Sequence, residues 1–170
     1  MRRDVGSELA LFEIVGLAAI TGLRSMAGPA LLSRAMRRGD VGRLQGTPFA
    51  ALGSPKVSAP LRLLMVGEMI ADKTPFIPAR TSAPALTGRA LSGALVGAAL
   101  FAAAGRRPAV GAILGVPPAI VAAYAGEKFR LRGPEKLGVP SSVLGLLEDG
   151  VVLSFGTRLL RQSWTQVTYK

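Results

Sequence analysis

The sequence predicts an all-α fold: a polytopic transmembrane helical bundle of about five spans, forming a single integral membrane domain over residues 1–170. Three observations predict it. The chain is 49% hydrophobic and only 18% charged. Its charges, 21 basic and 10 acidic, gather mostly between long apolar stretches. The stretch Ala90–Ala104 also carries no polar face at helical period, which a water-soluble bundle would require.

The first span runs from Leu9 to about Leu32, which is long enough to cross a bilayer. Glu13 and Arg24 interrupt it, and Pro29 is placed to kink its end. Residues 34–56 are polar, basic and punctuated by Gly and Pro, so they read as a loop with room for a short interfacial helix. A second apolar stretch, Val57–Ala71, is short for a crossing. It stops at Asp72-Lys73-Thr74-Pro75, where Pro75 disfavours helix at Thr74. The proline-rich segment TPFIPARTSAP reads as a tight connection or a re-entrant turn. The clearest span is Ala85–Ala104, with Gly93 and Gly97 four apart. Small residues at that spacing let helix backbones approach closely where lipid supplies no hydrophobic drive. A fourth span, Ala109–Tyr124, repeats the spacing at Gly111 and Gly115. Its Pro117-Pro118 pair removes two backbone donors and predicts a broken or kinked helix. Lys128, Arg130, Arg132 and Lys136 then read as a basic loop before the fifth span, Val139–Leu160, which carries Glu148 and Asp149. No small-residue cleavage site follows a short apolar core, so the first span is expected to stay in the protein.

Composition excludes several kinds of chemistry. With no His and no Cys, the chain has no imidazole base, no thiol nucleophile, no disulfide and no Cys/His zinc site. A net charge of +11 invites a nucleic-acid reading. However, such proteins gather cations on one face of a soluble fold, and bases need aromatic platforms that one Trp, two Tyr and six Phe scarcely supply. No nucleic-acid partner is expected. Cationic loops beside apolar spans instead suit a lipid bilayer with anionic head groups. With five spans, the Lys and Arg outside the apolar stretches divide eight to ten between the two sides, which sets no orientation. Such balance fits a homo-oligomer, an antiparallel dimer first.

The candidate site lies in the charges within or bordering the spans. Ionisable residues there normally face a partner or a water-filled cavity. Arg24 falls within GLRSMAGP. Glu68 and Asp72 are four apart, on one face of a continuing helix, with Lys73 next. Glu148 and Asp149 are adjacent, so a helix points them about 100 degrees apart and only one of them can face a given site. Arg24, Glu68, Asp72, Lys73, Glu148 and Asp149 are therefore the expected substrate- or ion-binding residues, with Arg24 as counter-charge. The competing reading has Arg24 simply pairing with Glu68 or Glu148 to lock the bundle. Gly93, Gly97, Gly111 and Gly115 are expected to pack helices. No cofactor is expected. The first span plus EMIAD and the fourth plus LLEDG leave room for an inverted repeat with a broken or re-entrant segment, as in many transporters.

At GLRSMAGPALLSR, GEMIADKTPFIPART and SSVLGLLEDGVVLSFG the chain resembles a bacterial membrane-protein family, the domain of unknown function 4126. The resemblance spans about Leu11 to Leu160. It rests on Gly22, Leu23 and Arg24, on Glu68, Asp72, Lys73 and Pro75, and on the late pair Glu148 and Asp149. The chain departs from the pattern in its long basic first loop and in lacking an Asn before the late pair. The resemblance implies a bacterial inner-membrane location and supplies no activity. The E-x-x-x-D-K-T string is also similar to the E-x-G-D-K-T of certain cation exchangers. It is one residue longer and present once, so their metal site is not transferred.

Transport of an ion or small solute through a polar midplane site is the first functional expectation. A structural or accessory subunit of a larger membrane complex, docked through its GxxxG faces, is the second. A membrane enzyme is the third and least expected, because its chemistry would rest on carboxylates such as Glu68 and Asp72, with or without a metal.

Overall fold

The computed structural model describes residues 2–39, 41, 44–72 and 81–168, with side chains between residues 11 and 160. Every regular element among the described residues is helical. Helix α1 (Arg2–Leu23) opens the expected first span, but the apolar run does not continue as one helix. Arg24–Met26 form a turn, and α2 (Ala27–Arg38) folds back. Gly28 lies against Thr21 and the Leu17 carbonyl. In a straight helix Leu17 and Gly28 would stand about 16 Å apart along the axis. Pro29 falls in the first turn of α2, where a backbone N–H has no helical acceptor to lose. It helps start a helix here and does not kink the end of one.

Arg34, Arg37 and Arg38, expected in a loop, are helical and line the exposed side of α2, while Leu31, Leu32, Ser33 and Ala35 are buried. Gly39 ends the helix at φ +80°, a conformation that costs glycine little. A short 3-10 helix, Pro48–Gly53, leads into α3 (Pro55–Ala71), which ends at Asp72. Lys73, Pro75 and most of the suggested re-entrant turn lie outside the described residues. Helix α4 (Ala83–Ala103) matches the clearest expected span.

Helix α5 (Pro108–Leu137) corrects two expectations. It runs unbroken through Pro117-Pro118, and it absorbs the basic segment read as a loop. Its buried residues explain the first. Gly111, Gly115, Ala119 and Ala123 recur every fourth position, so one face is stripped of bulk and seats on α4 and α1. That packing holds the helix together where two backbone hydrogen bonds are missing. The two halves of the suggested repeat therefore differ: α1 ends at a reversal and α5 does not. Gly93 sits opposite Gly115, and Gly97 opposite Gly111, so α4 and α5 are antiparallel. Extending that register sets the start of α4 level with about Ala125, and the rest of α5 projects about 18 Å beyond it.

Helix α6 (Ser141–Thr168) returns antiparallel to α1, with Gly156 against Ile20 and Leu31 and Leu159 against Gly16. Ile14, Leu17, Leu32, Val96, Leu100 and Val152 form the buried core between α1, α2, α4 and α6. Two of the helices, α4 and α5, are long and apolar enough to cross a membrane; in α1 the apolar segment is the shorter Leu11–Leu23.

Candidate functional site

The reversal between α1 and α2 leaves the C-terminal carbonyls of one helix and the N-terminal amides of the next inside the protein. Both sets are met by charge of the appropriate sign. Glu68, near the end of α3, accepts hydrogen bonds from Ser25 N at 2.8 Å, Ser25 Oγ at 3.0 Å and Met26 N at 2.9 Å. A carboxylate at a helix N-terminus satisfies orphan amides and complements the helix dipole. On the other side, Arg89 of α4 donates from Nε to the Gly22 carbonyl at 2.9 Å, and its Nη2 lies 3.9 Å from Glu68 Oε1. The cation sits at the C-terminal end of α1 and the anion at the N-terminal end of α2.

Arg24 occupies the turn itself and has no solvent exposure. Its Nη1 is 2.5 Å from Asp72 Oδ2. Nε and Nη2 each lie 2.8 Å from Asp149 Oδ1. One guanidinium thus ties the turn to the ends of α3 and α6's first third. Asp72 Oδ2 is shared, because Arg130 Nη2 also approaches it at 2.5 Å. Arg130 Nη1 donates to the Asp72 carbonyl at 3.1 Å, and its Nε lies 3.5 Å from Glu148 Oε2. Arg24 and Arg130 therefore meet at one carboxylate oxygen.

This arrangement resolves the geometry of the adjacent acids. Glu148 and Asp149 do diverge, one toward Arg130 and the other toward Arg24, yet both join one network because the two arginines converge on Asp72. The pairing of Arg24 also differs from either partner considered from sequence: Asp72 and Asp149 hold it, while Glu68 caps α2. Lys73 lies outside the described residues. Gly93, Gly97, Gly111 and Gly115 meet one another between α4 and α5, so these faces are used within the chain and are not free for another helix. No group of three carboxylates among the described residues is disposed to hold a metal ion.

Sequence reasoning missed Arg89 and Arg130. Arg89 is a lone cation within an apolar helix, the same signal that drew attention to Arg24. Arg130 falls on the row Ala119, Ala123, Gly126, Arg130 and Gly133, whose spacing of three and four marks a buried helical face. All of that row except Arg130 is small. A large cation there has to meet an anion on a neighbouring helix.

Fold and site together define an all-helical protein whose first apolar run reverses around a buried arginine–carboxylate network. Within that class the chain belongs to the family described as Domain of unknown function (DUF4126), whose profile matches residues 11–158. The matched region contains all seven charged residues of the network. Comparison with curated proteins and with solved structures finds no match.

Proposed function

We propose that the protein is integral to a membrane and moves an ion or small solute across it, with the Arg24 network as its polar site. The observation that carries this reading is the reversal at Arg24: a fully buried guanidinium stands between two helix ends, held by carboxylates from two other helices. Discontinuous helices in transport folds place charged groups beside free helix ends at depth. The outer surface supports a lipid setting. Phe12, Leu63, Ile113, Val121 and Leu147, on four different helices, are each more than 60% exposed, and α4 and α5 have spanning length. Apolar exposure on that scale suits hydrocarbon and not water. Exposed faces of this kind also suit pairing of copies within the bilayer.

In the mechanism we assign, Asp72 is the exchange point. A cation or proton that neutralises Asp72 releases Arg24 and Arg130 from a common oxygen, leaving Arg24 on Asp149 and Arg130 on Glu148. Occupancy is thereby coupled to the helix reversal that Arg24 anchors. The test is flux of protons, alkali cations and small anions in vesicles containing the purified protein. Flux above that of protein-free vesicles, lost in Asp72→Asn, is the expected result. No flux of any of them counts against the reading.

A second reading, an accessory subunit, draws on the fact that each arginine of the network already has a carboxylate partner, which suits a lock. It predicts instead a stable stoichiometric partner after mild solubilisation, and no flux.

A further inference from the structure

We propose that the last third of α5 carries a binding site for an anionic phospholipid. The apolar part of α5 ends at Gly126, and the following residues, EKFRLRGPEKL, interleave cations with apolar side chains. Lys128, Arg132 and Lys136 recur every fourth residue, so they form one row about 12 Å long on the helix. All three are exposed, and none has a hydrogen-bond or ion-pair partner among the described residues. Their neighbour Arg130 is different, being committed to Asp72 and Glu148.

Among the described residues, the open space of about 400 Å³ beside the row is lined by this one face of α5, with Ala125, Phe129, Gly133 and Leu137 as its apolar part. The nearby acids do not answer the row. Glu127 accepts a hydrogen bond from Thr81 N at 2.7 Å, and Glu135 is outside the lining. The open space starts where the α4–α5 register leaves α5 without α4 beside it.

The chemistry selects one kind of occupant. A soluble anion would use the cations and ignore the apolar floor, whereas an apolar segment would do the reverse. A phospholipid with net negative charge uses both, its phosphate on Arg132 and Lys136 and its acyl chain along Phe129 and Ala125 toward the apolar part of the helix. Cations placed directly after a helix of spanning length are where head groups are met. The site shares no residue with the Arg24 network; Arg130, between Lys128 and Arg132 in the chain, sets the two at the same level along α5.

Native mass spectrometry of the full chain in detergent, titrated with phosphatidylglycerol or phosphatidylcholine, tests it. Phosphatidylglycerol is expected to be retained in preference to phosphatidylcholine. The triple variant Lys128→Gln/Arg132→Gln/Lys136→Gln should weaken that retention about a hundredfold, taking each cation at its usual surface worth. Arg34→Gln/Arg37→Gln/Arg38→Gln on α2 removes the same charge and should leave it unchanged. Should the triple variant lose helical circular dichroism, Arg132→Gln alone is expected to weaken binding about fivefold. Unchanged retention in the α5 variants overturns the site. Equal loss in the α2 control overturns it too, since the attraction is then diffuse charge. So does displacement of the lipid by inorganic phosphate at the concentration at which a short-chain phosphatidylglycerol displaces it.

Discussion

Where α4 meets α5, four glycines bring the backbones so near that a methyl group on any of them would overlap a carbonyl oxygen across the contact. Where the turn after α1 meets the end of α3, the last third of α5 and α6, the long side chains of Arg24 and Arg130 join the elements by charge. Lipid offers no hydrophobic drive for helices to associate, so either close van der Waals packing or internal polar bonding has to supply the attraction. The two regions divide these means between them. The glycine contact admits no added volume but is indifferent to charge. The arginine network is intolerant of unbalanced charge. Only the second can respond to an ion.

The largest expected effect is at the network. Arg24→Met removes the buried guanidinium that bridges Asp72 and Asp149 and leaves Asp72 to Arg130, a change expected to cost about 3–5 kcal/mol. Thermal unfolding in detergent should show it as loss of most of the folded protein, while Arg24→Lys, which keeps charge but not the fork, falls between Met and wild type. Next comes the glycine contact. Gly97→Leu must displace the Gly111 carbonyl, which is backbone and cannot swing aside, and is expected to cost about 3 kcal/mol. The same melt reads it, and the loss should not vary with salt. Glu68→Gln keeps one acceptor oxygen, enough for Ser25 or Met26 but not both, and removes the charge at the helix N-terminus, so about 2 kcal/mol is expected. Arg37→Gln, exposed on α2, should stay within about 0.5 kcal/mol of wild type. A salt-sensitive loss at Gly97 or an inert Arg24→Met would erase the contrast.

The parts of the fold legible in sequence were those where composition alone decides. Helix α4 stood out because Ala90–Ala104 has no polar face, and α3's end at Asp72 because a Pro follows closely. The reversal at Arg24 was hidden because hydropathy has no direction: GLRSMAGPALL is one apolar run whether the chain goes straight on or turns back. Pro29 was the available clue, since a proline in a first helical turn marks a start as well as a kink. The extension of α5 was hidden by Lys128, Arg130, Arg132 and Lys136. Charge and Gly/Pro content suggested a loop, while the row Gly126, Arg130 and Gly133 kept a helical period beneath them. At the site, lone charges in apolar stretches singled out Arg24, Glu68, Asp72 and the late acids, which the structure places around the reversal. Which acid would meet which arginine depended on the reversal and on the length of α5, and neither was visible in the linear pattern.

In the proposed transport, the charged network does the work and the glycine contact only holds the scaffold. Flux per folded molecule in reconstituted vesicles, compared between Asp149→Asn and Gly93→Ala, tests it most directly. Asp149→Asn is expected to keep a folded population but lose flux, whereas Gly93→Ala is expected to lose folded protein while each remaining molecule carries wild-type flux. Equal flux per folded molecule in both variants, at the wild-type level, would contradict it.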